Sequence, residues 1–357
     1  MKSSPPAAAA GRVCVPERST YRRRLGLSCA LAGLLALSAC TPAVIPAGET
    51  LSIPVDSRVI TQLGGNPTMA PELTFLGGVE LSSSEPLFGA FSSIRFLDDK
   101  RFLGVFDTGY WIEGQIRRDA EGLLAGIETV KLAPLLDASG RESPSKFHVD
   151  AESLVVDGDR AFVGFEQRHR VVSYEPLSDL GKAVPSEPLA FPFDLDVLRS
   201  NGGLESLVLA EKDGPLGGAL VAISEKSYDD NGNIYAAILG GPLAGEFRVR
   251  PRDDFDITDA TFLPDGDLLL LERRFTIARG VGMRLRRVDG DSIRPDAVLD
   301  GEILFEANYR SQIDNMEGID AIPEPNGSVR LIVVSDDNHS ILQRTLMLEF
   351  RLSAPQS

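Results

Sequence analysis

The chain has 357 residues, 43% hydrophobic and 25% charged, with a formal net charge of −16. The apolar content is ample for one large core or two ordinary ones, which excludes disordered and fibrous classes. The acidic balance excludes a nucleic-acid partner, because a phosphate backbone needs a basic footprint, and it disfavours attraction to a membrane surface by charge.

Arg22-Arg23-Arg24 precedes a small and apolar run from Leu25 to Ala39. At that length the run is shorter than the roughly 20 residues of a spanning helix, so it reads as a secretory signal. It ends Leu37-Ser38-Ala39-Cys40, which resembles the bacterial lipobox, and the expectation is cleavage before Cys40 with acylation of its sulfur. Residues 1–39 carry six basic residues and one acid, so their removal takes the charge from −16 to −21. Cys14 and Cys29 leave with them, which excludes disulfides and cysteine metal sites in the mature chain. Only His148, His169 and His339 remain as histidines. Without metal-ligand spacing among them, the expected metal is a hard, oxygen-liking one. The location expected is the cell envelope, lipid-anchored and facing the periplasm. Thr41 after the cysteine favours the outer membrane.

Residues 40–71 are rich in Pro, Gly and small residues and read as a flexible tether. The globular domain is expected over 72–351, with 352–357 as a tail. The whole chain's 34 Gly, 23 Pro and single Trp suit many short strands and tight turns, hence an all-β class. One phrase recurs through it: His148-Val149-Asp150-Ala151-Glu152-Ser153-Leu154, Asn201-Gly202-Gly203-Leu204-Glu205-Ser206-Leu207, Asp256-Ile257-Thr258-Asp259-Ala260-Thr261-Phe262, and Asp314-Asn315-Met316-Glu317-Gly318-Ile319-Asp320. A fainter copy surrounds Ser93. Ser93, Glu152, Glu205, Asp259 and Glu317 stand 59, 53, 54 and 58 residues apart. Each phrase is followed by an apolar strand ending in an acid: Asp107, Glu166, Glu225, Glu272 and Asp336. Turns such as Asp157-Gly158, Asp265-Gly266 and Asn326-Gly327 join antiparallel strands. Asp229-Asp230-Asn231-Gly232-Asn233 lacks the glycine and glutamate spacing of a calcium loop and reads as a hairpin tip.

A four-stranded blade needs about 40 to 50 residues, so the repeat predicts a β-propeller of five or six blades. Residues 72–81 are placed to lend the last blade a strand. The E-S/G-L/I openers at Glu152, Glu205 and Glu317 also resemble the bacterial phytase-like family, described as having an esterase-like activity of phytase. So do the segment Asp259 to Gly266 running into Leu271-Glu272-Arg273, and the ending Leu331 to Asn338. The resemblance spans about residues 72–350. It implies a propeller hydrolase of phosphate or carboxylic esters, calcium-assisted as in propeller phytases.

The residues suggest how. Acids recurring in register form rings about one axis, and such like charges demand raised pKa values or bound cations. Calcium takes six to eight oxygens, so Asp107, Glu152, Glu166, Glu225, Asp259, Glu272 and Asp336 are candidate metal ligands. Glu205 and Glu317 are the candidates for activating water, and Lys226 and Arg273 for holding a small-molecule ester substrate. No G-x-S-x-G, P-loop or dinucleotide fingerprint is present. Two other readings stay open: a non-catalytic envelope scaffold, and a lactonase-type propeller in which Asn315 or Asn338 joins the acids around calcium.

Overall fold

Five antiparallel blades follow one another along the chain, as seen in a computed structural model that describes residues 44–354 apart from Pro144. The expected signal peptide, Cys40 and the last three residues of the expected tail lie outside the described residues. The innermost strands are Phe91–Phe96, Ala151–Asp157, Leu204–Leu209, Asp256–Phe262 and Asn315–Pro323. Each lies against the next and the fifth returns to the first, closing a ring. The count settles at five blades.

Alternation along each strand builds the contacts between blades. Leu268-Leu269-Leu270-Leu271 shows the rule: Leu268 and Leu270 join a cluster with Val221 and Ile223 of the third blade, whereas Leu269 and Leu271 join Leu331 and Val333 of the fifth. Continuous apolar runs therefore mean strands buried on both faces. Three further clusters fill the remaining junctions. Each fully buried Leu, Ile or Phe in them contributes about 1.5–3 kcal/mol. At the closing junction the chains come so near that a Cβ on Gly318 would lie 2.8 Å from Val334 and 3.1 Å from the Ser93 backbone.

The fifth blade joins the chain's two ends. Thr345–Leu352 pairs with Leu73–Ser82, as the borrowed-strand expectation has it. Residues 44–71 differ from the tether that their composition suggests. Asp56–Ile60 extends the fifth blade, Leu51–Ser52 the first and Thr68–Met69 the fourth, each as an added edge strand. Proline and glycine between these short pieces mark changes of direction from blade to blade, a use that composition cannot separate from flexibility. The loop at Asp229 is a hairpin tip, its carboxylate accepting from the Asn231 and Asn233 backbone N–H groups at 2.9 Å each.

All five inner strands carry a β-bulge near their start. Pairing skips Ser92, Glu152, Glu205, Thr258 and Glu317 in turn. A bulge sets two residues against one and re-aims the extra side chain. The equivalent positions in the first and fourth blades are thus Ser92 and Thr258, one residue before the Ser93 and Asp259 that sequence alignment selects. A slip of one residue turns a side chain to the other face. Asp259 accordingly belongs to the plug of the axis and not to a carboxylate ring. Arg95 donates to its two oxygens at 2.9 and 2.8 Å, and to the carbonyls of Ile94, Leu207, Ala260 and Ile319. Ser93 and the Ile319 N–H also donate to Asp259.

Candidate active site

Above this plug lies a blind pocket of about 460 Å³, entered from the face on which the second strand of each blade ends. Three of the five bulges deliver glutamates to it, Glu152, Glu205 and Glu317. The fourth blade gives Thr258, whose hydroxyl donates to the Met316 carbonyl at 2.9 Å.

The outer ring comes from the ends of the second strands. The residues preceding the bulges pair with Phe106, Phe165, Ser224, Glu272 and Ser335. The next residue in each blade reaches the pocket: Asp107, Glu166, Glu225, Arg273 and Asp336. In the fourth blade the ring member is therefore Arg273. Glu272 turns to the face directed at the third blade, where Arg286 of the adjoining strand in its own blade donates to it at 2.5 Å and Arg284 of that strand lies at 3.7 Å. It is a buried structural ion pair, which corrects its assignment as a metal ligand.

Two halves of the pocket differ in charge balance. On the first side, Asp107, Asp150 and Glu152 each offer an oxygen within 4.8 Å of the others. Lys146, from the short helix Lys146–Val149, donates to Asp107 and lies 3.5 Å from Asp150. One carboxylate oxygen of Asp107 is nonetheless buried with no hydrogen-bond partner, while the buried Asp150 oxygen meets Lys146 only at ion-pair distance. A hard acidic oxygen left unpartnered beside two further carboxylates fits a divalent cation. Burial raises the pKa of both groups, and for Asp150 Lys146 opposes the rise. Burial pushes Glu152 and Glu205 well above the carboxylate range, and the charges acting on each most strongly are other carboxylates.

Cations occupy the other side. Glu225 holds Lys226 at 2.6 Å and Arg273 at 2.9 Å. Arg273 also donates to the Asn315 side-chain oxygen at 2.7 Å and lies 3.4 Å from Glu317. The Asn315 amide donates to Glu317 at 2.8 Å and to Asp336 at 3.4 Å. Burial lifts Glu317 to about 8 against the pull of Arg273. Burial, helped by Asp107, lifts Asp336 to about 7. Glu166 is committed differently: one oxygen accepts from the backbone N–H groups of Gly202 and Gly203, fixing the loop that carries Asn201 into the pocket.

Of the residues singled out from sequence, Asp107, Glu152, Glu166, Glu205, Glu225, Lys226, Arg273, Glu317 and Asp336 line this one pocket, and Asp259 and Glu272 do not. Asp150 and Lys146 are additions. Asp150 was legible as a second acid two residues before Glu152; Lys146 lies outside the repeat and carried no signal.

Comparison with known proteins bears on the class. Residues 86–339 match the model of the phytase-like family, described as the esterase-like activity of phytase. No curated protein is significantly similar to the chain. Among solved structures, a putative oxidoreductase (glucose dehydrogenase) from Thermus thermophilus is 12% identical, over 82% of this chain and 100% of that one, with a TM-score of 0.34. An alpha-L-arabinofuranosidase from Podospora anserina, in complex with cellotriose, is 12% identical over 82% and 97% of the two chains, with a TM-score of 0.42. Likenesses this distant say nothing of substrate or chemistry.

Proposed function

This chain belongs to the phytase-like family, and on that premise we propose that it is a metal-assisted propeller hydrolase of phosphate or carboxylic esters. The observation that carries the reading is the convergence of Asp107, Asp150 and Glu152, with a buried Asp107 oxygen left unpartnered, beside carboxylates whose pKa values are pushed toward neutrality. Groups tuned in this way suit proton transfer at ordinary pH.

Asp107, Asp150 and Glu152 would hold calcium. When bound there, the ion supplies positive charge to polarise an ester oxygen and acidify water. Glu205, at the border of the anionic half, would accept the proton of the attacking water in its ionised form, which the positive charge of a bound ion would favour over the raised pKa of the empty site. Glu317, protonated through most of the neutral range, donates to the departing oxygen. Arg273 and Lys226, steered by Glu225, hold the substrate's anionic group. The Arg95–Asp259 plug keeps bulk water from entering along the axis. The leader and Cys40 support an envelope protein tethered by lipid, with its pocket in the periplasm.

The test is hydrolysis of a panel of phosphate monoesters, phytate, short carboxylic esters and lactones by the chain from Thr41 onward, with calcium or with chelator, beside Glu205→Gln. Calcium-dependent turnover lost in the variant supports the reading and names the ester. A folded protein inactive on every substrate would replace it with a binding scaffold.

A further inference from the structure

Large apolar side chains in solvent gather on one part of the pocket face. Phe275, Ile277, Tyr309, Ile341 and Leu342 are exposed, and Ile277 and Ile341 fully so. Phe275 and Ile277 belong to the hairpin between Leu268–Thr276 and Gly280–Val288, and Tyr309 follows Glu302–Asn308. Ile341 and Leu342 lie between Val329–Asp336 and Thr345–Leu352. These connections adjoin. A Cβ on Gly280 would lie 3.2 Å from the Cβ of Tyr309, and Arg344 donates to Gln312 at 2.8 Å and to the Ile313 carbonyl at 3.2 Å. The fourth and fifth blades thus share one projecting apolar patch, of the kind that marks an interaction surface.

Its charge departs from that of the whole. Segments 273–287, 308–313 and 338–344 contain no Asp or Glu, in a chain with 52 acids against 36 bases. They carry Arg279, paired with Asp254 at 3.1 Å, Arg310 against the Tyr309 ring, and Arg344, held by Asp314. Aliphatic tips flanked by arginine and tyrosine match the layering of a bilayer, acyl chains beneath phosphates. The described chain also begins close to the pocket face, Ile45 packing with Phe88 and Tyr110. Cys40, the expected acylation site, stands only four residues before Val44.

We propose that this patch docks on a lipid bilayer, with Ile277, Ile341 and Leu342 entering the acyl region and Tyr309, Arg279 and Arg310 at the headgroups. The pocket opens beside it, since Arg273 and Asn338 line the cavity two and three residues from Phe275 and Ile341. Docking is independent of whether the pocket hydrolyses anything.

The chain from Val44 onward holds the complete ring and lacks Cys40, so it isolates the patch. Co-sedimentation with phosphatidylcholine vesicles, with and without phosphatidylglycerol, should show binding that strengthens with the anionic lipid. Ile277→Asp combined with Ile341→Asp should weaken it roughly tenfold or more at unchanged melting temperature. Ile277→Trp should give blue-shifted emission with vesicles, distinct from the buried Trp111. Absence of binding by the parent protein overturns the proposal, as does binding indifferent to the double variant. A parent dimer that the double variant abolishes would give the patch to a second copy instead.

Discussion

Arg95 and Asp259 are joined by two hydrogen bonds across the middle of the ring, although the first and fourth blades that carry them are not neighbours. The pair ties together blades that share no sheet-on-sheet contact, and Arg95 reaches carbonyls from four of the five inner strands.

Removing one partner leaves a buried charge alone. Asp259→Asn should cost about 3–5 kcal/mol, seen as a fall of roughly 6–15 °C in melting temperature. Arg95→Met with Asp259→Leu should recover much of the loss, because a well-packed apolar pair avoids the desolvation cost. Calorimetry of the three proteins checks this, and a single variant as stable as the parent would contradict it.

Glu317 and Asp336 give stability a definite pH dependence. Their folded pKa values, about 8 and about 7, lie above those of unfolded carboxylates, so the folded protein binds more protons. Their contribution is complete below about pH 4 and is lost as pH rises through 7 and 8. In chelator, the melting temperature should fall between pH 5 and 8.5, and calcium should reverse part of the fall. A melting temperature rising over that range would contradict the assignment.

Glu205 and Glu272 are both buried acids of the repeat, and they should behave oppositely. Glu205→Gln removes one of several crowded like charges, so it should preserve or raise stability while lowering turnover roughly 100-fold or more. Glu272→Gln weakens the partner of buried Arg286 and should lower stability by about 3 kcal/mol, with residual activity following the folded fraction. Thermal melts beside single-substrate kinetics separate the two.

Metal affinity should depend on the three converging acids alone. Asp107→Asn or Asp150→Asn should weaken calcium binding roughly tenfold or more by titration calorimetry, whereas Glu272→Gln should leave it unchanged. Equal affinities across these proteins would place the ion elsewhere.

The repeat of about 56 residues exposed the blades, because sheet-on-sheet packing requires apolar strands at regular spacing. It also exposed most of the pocket, because the acids recur in register. The fourth blade misled for a physical reason: Asp259 and Glu272 each stand one residue from a ring position, and a bulge fixes which neighbour faces inward. Arg273 was legible as a basic neighbour but not as the ring member itself. Edge strands such as Leu51–Ser52 were hidden, since pieces so short have no periodicity and exist only where a partner strand waits.

Because Leu73–Ser82 finds its partner in Thr345–Leu352, the order in which the chain is made matters. An emerging chain holds its first long strand ready for more than 260 residues before the neighbour arrives. The closed ring cannot assemble until nearly the whole polypeptide has emerged. A stop codon at position 340 would strand that waiting edge permanently, exposing it to any other strand in the compartment.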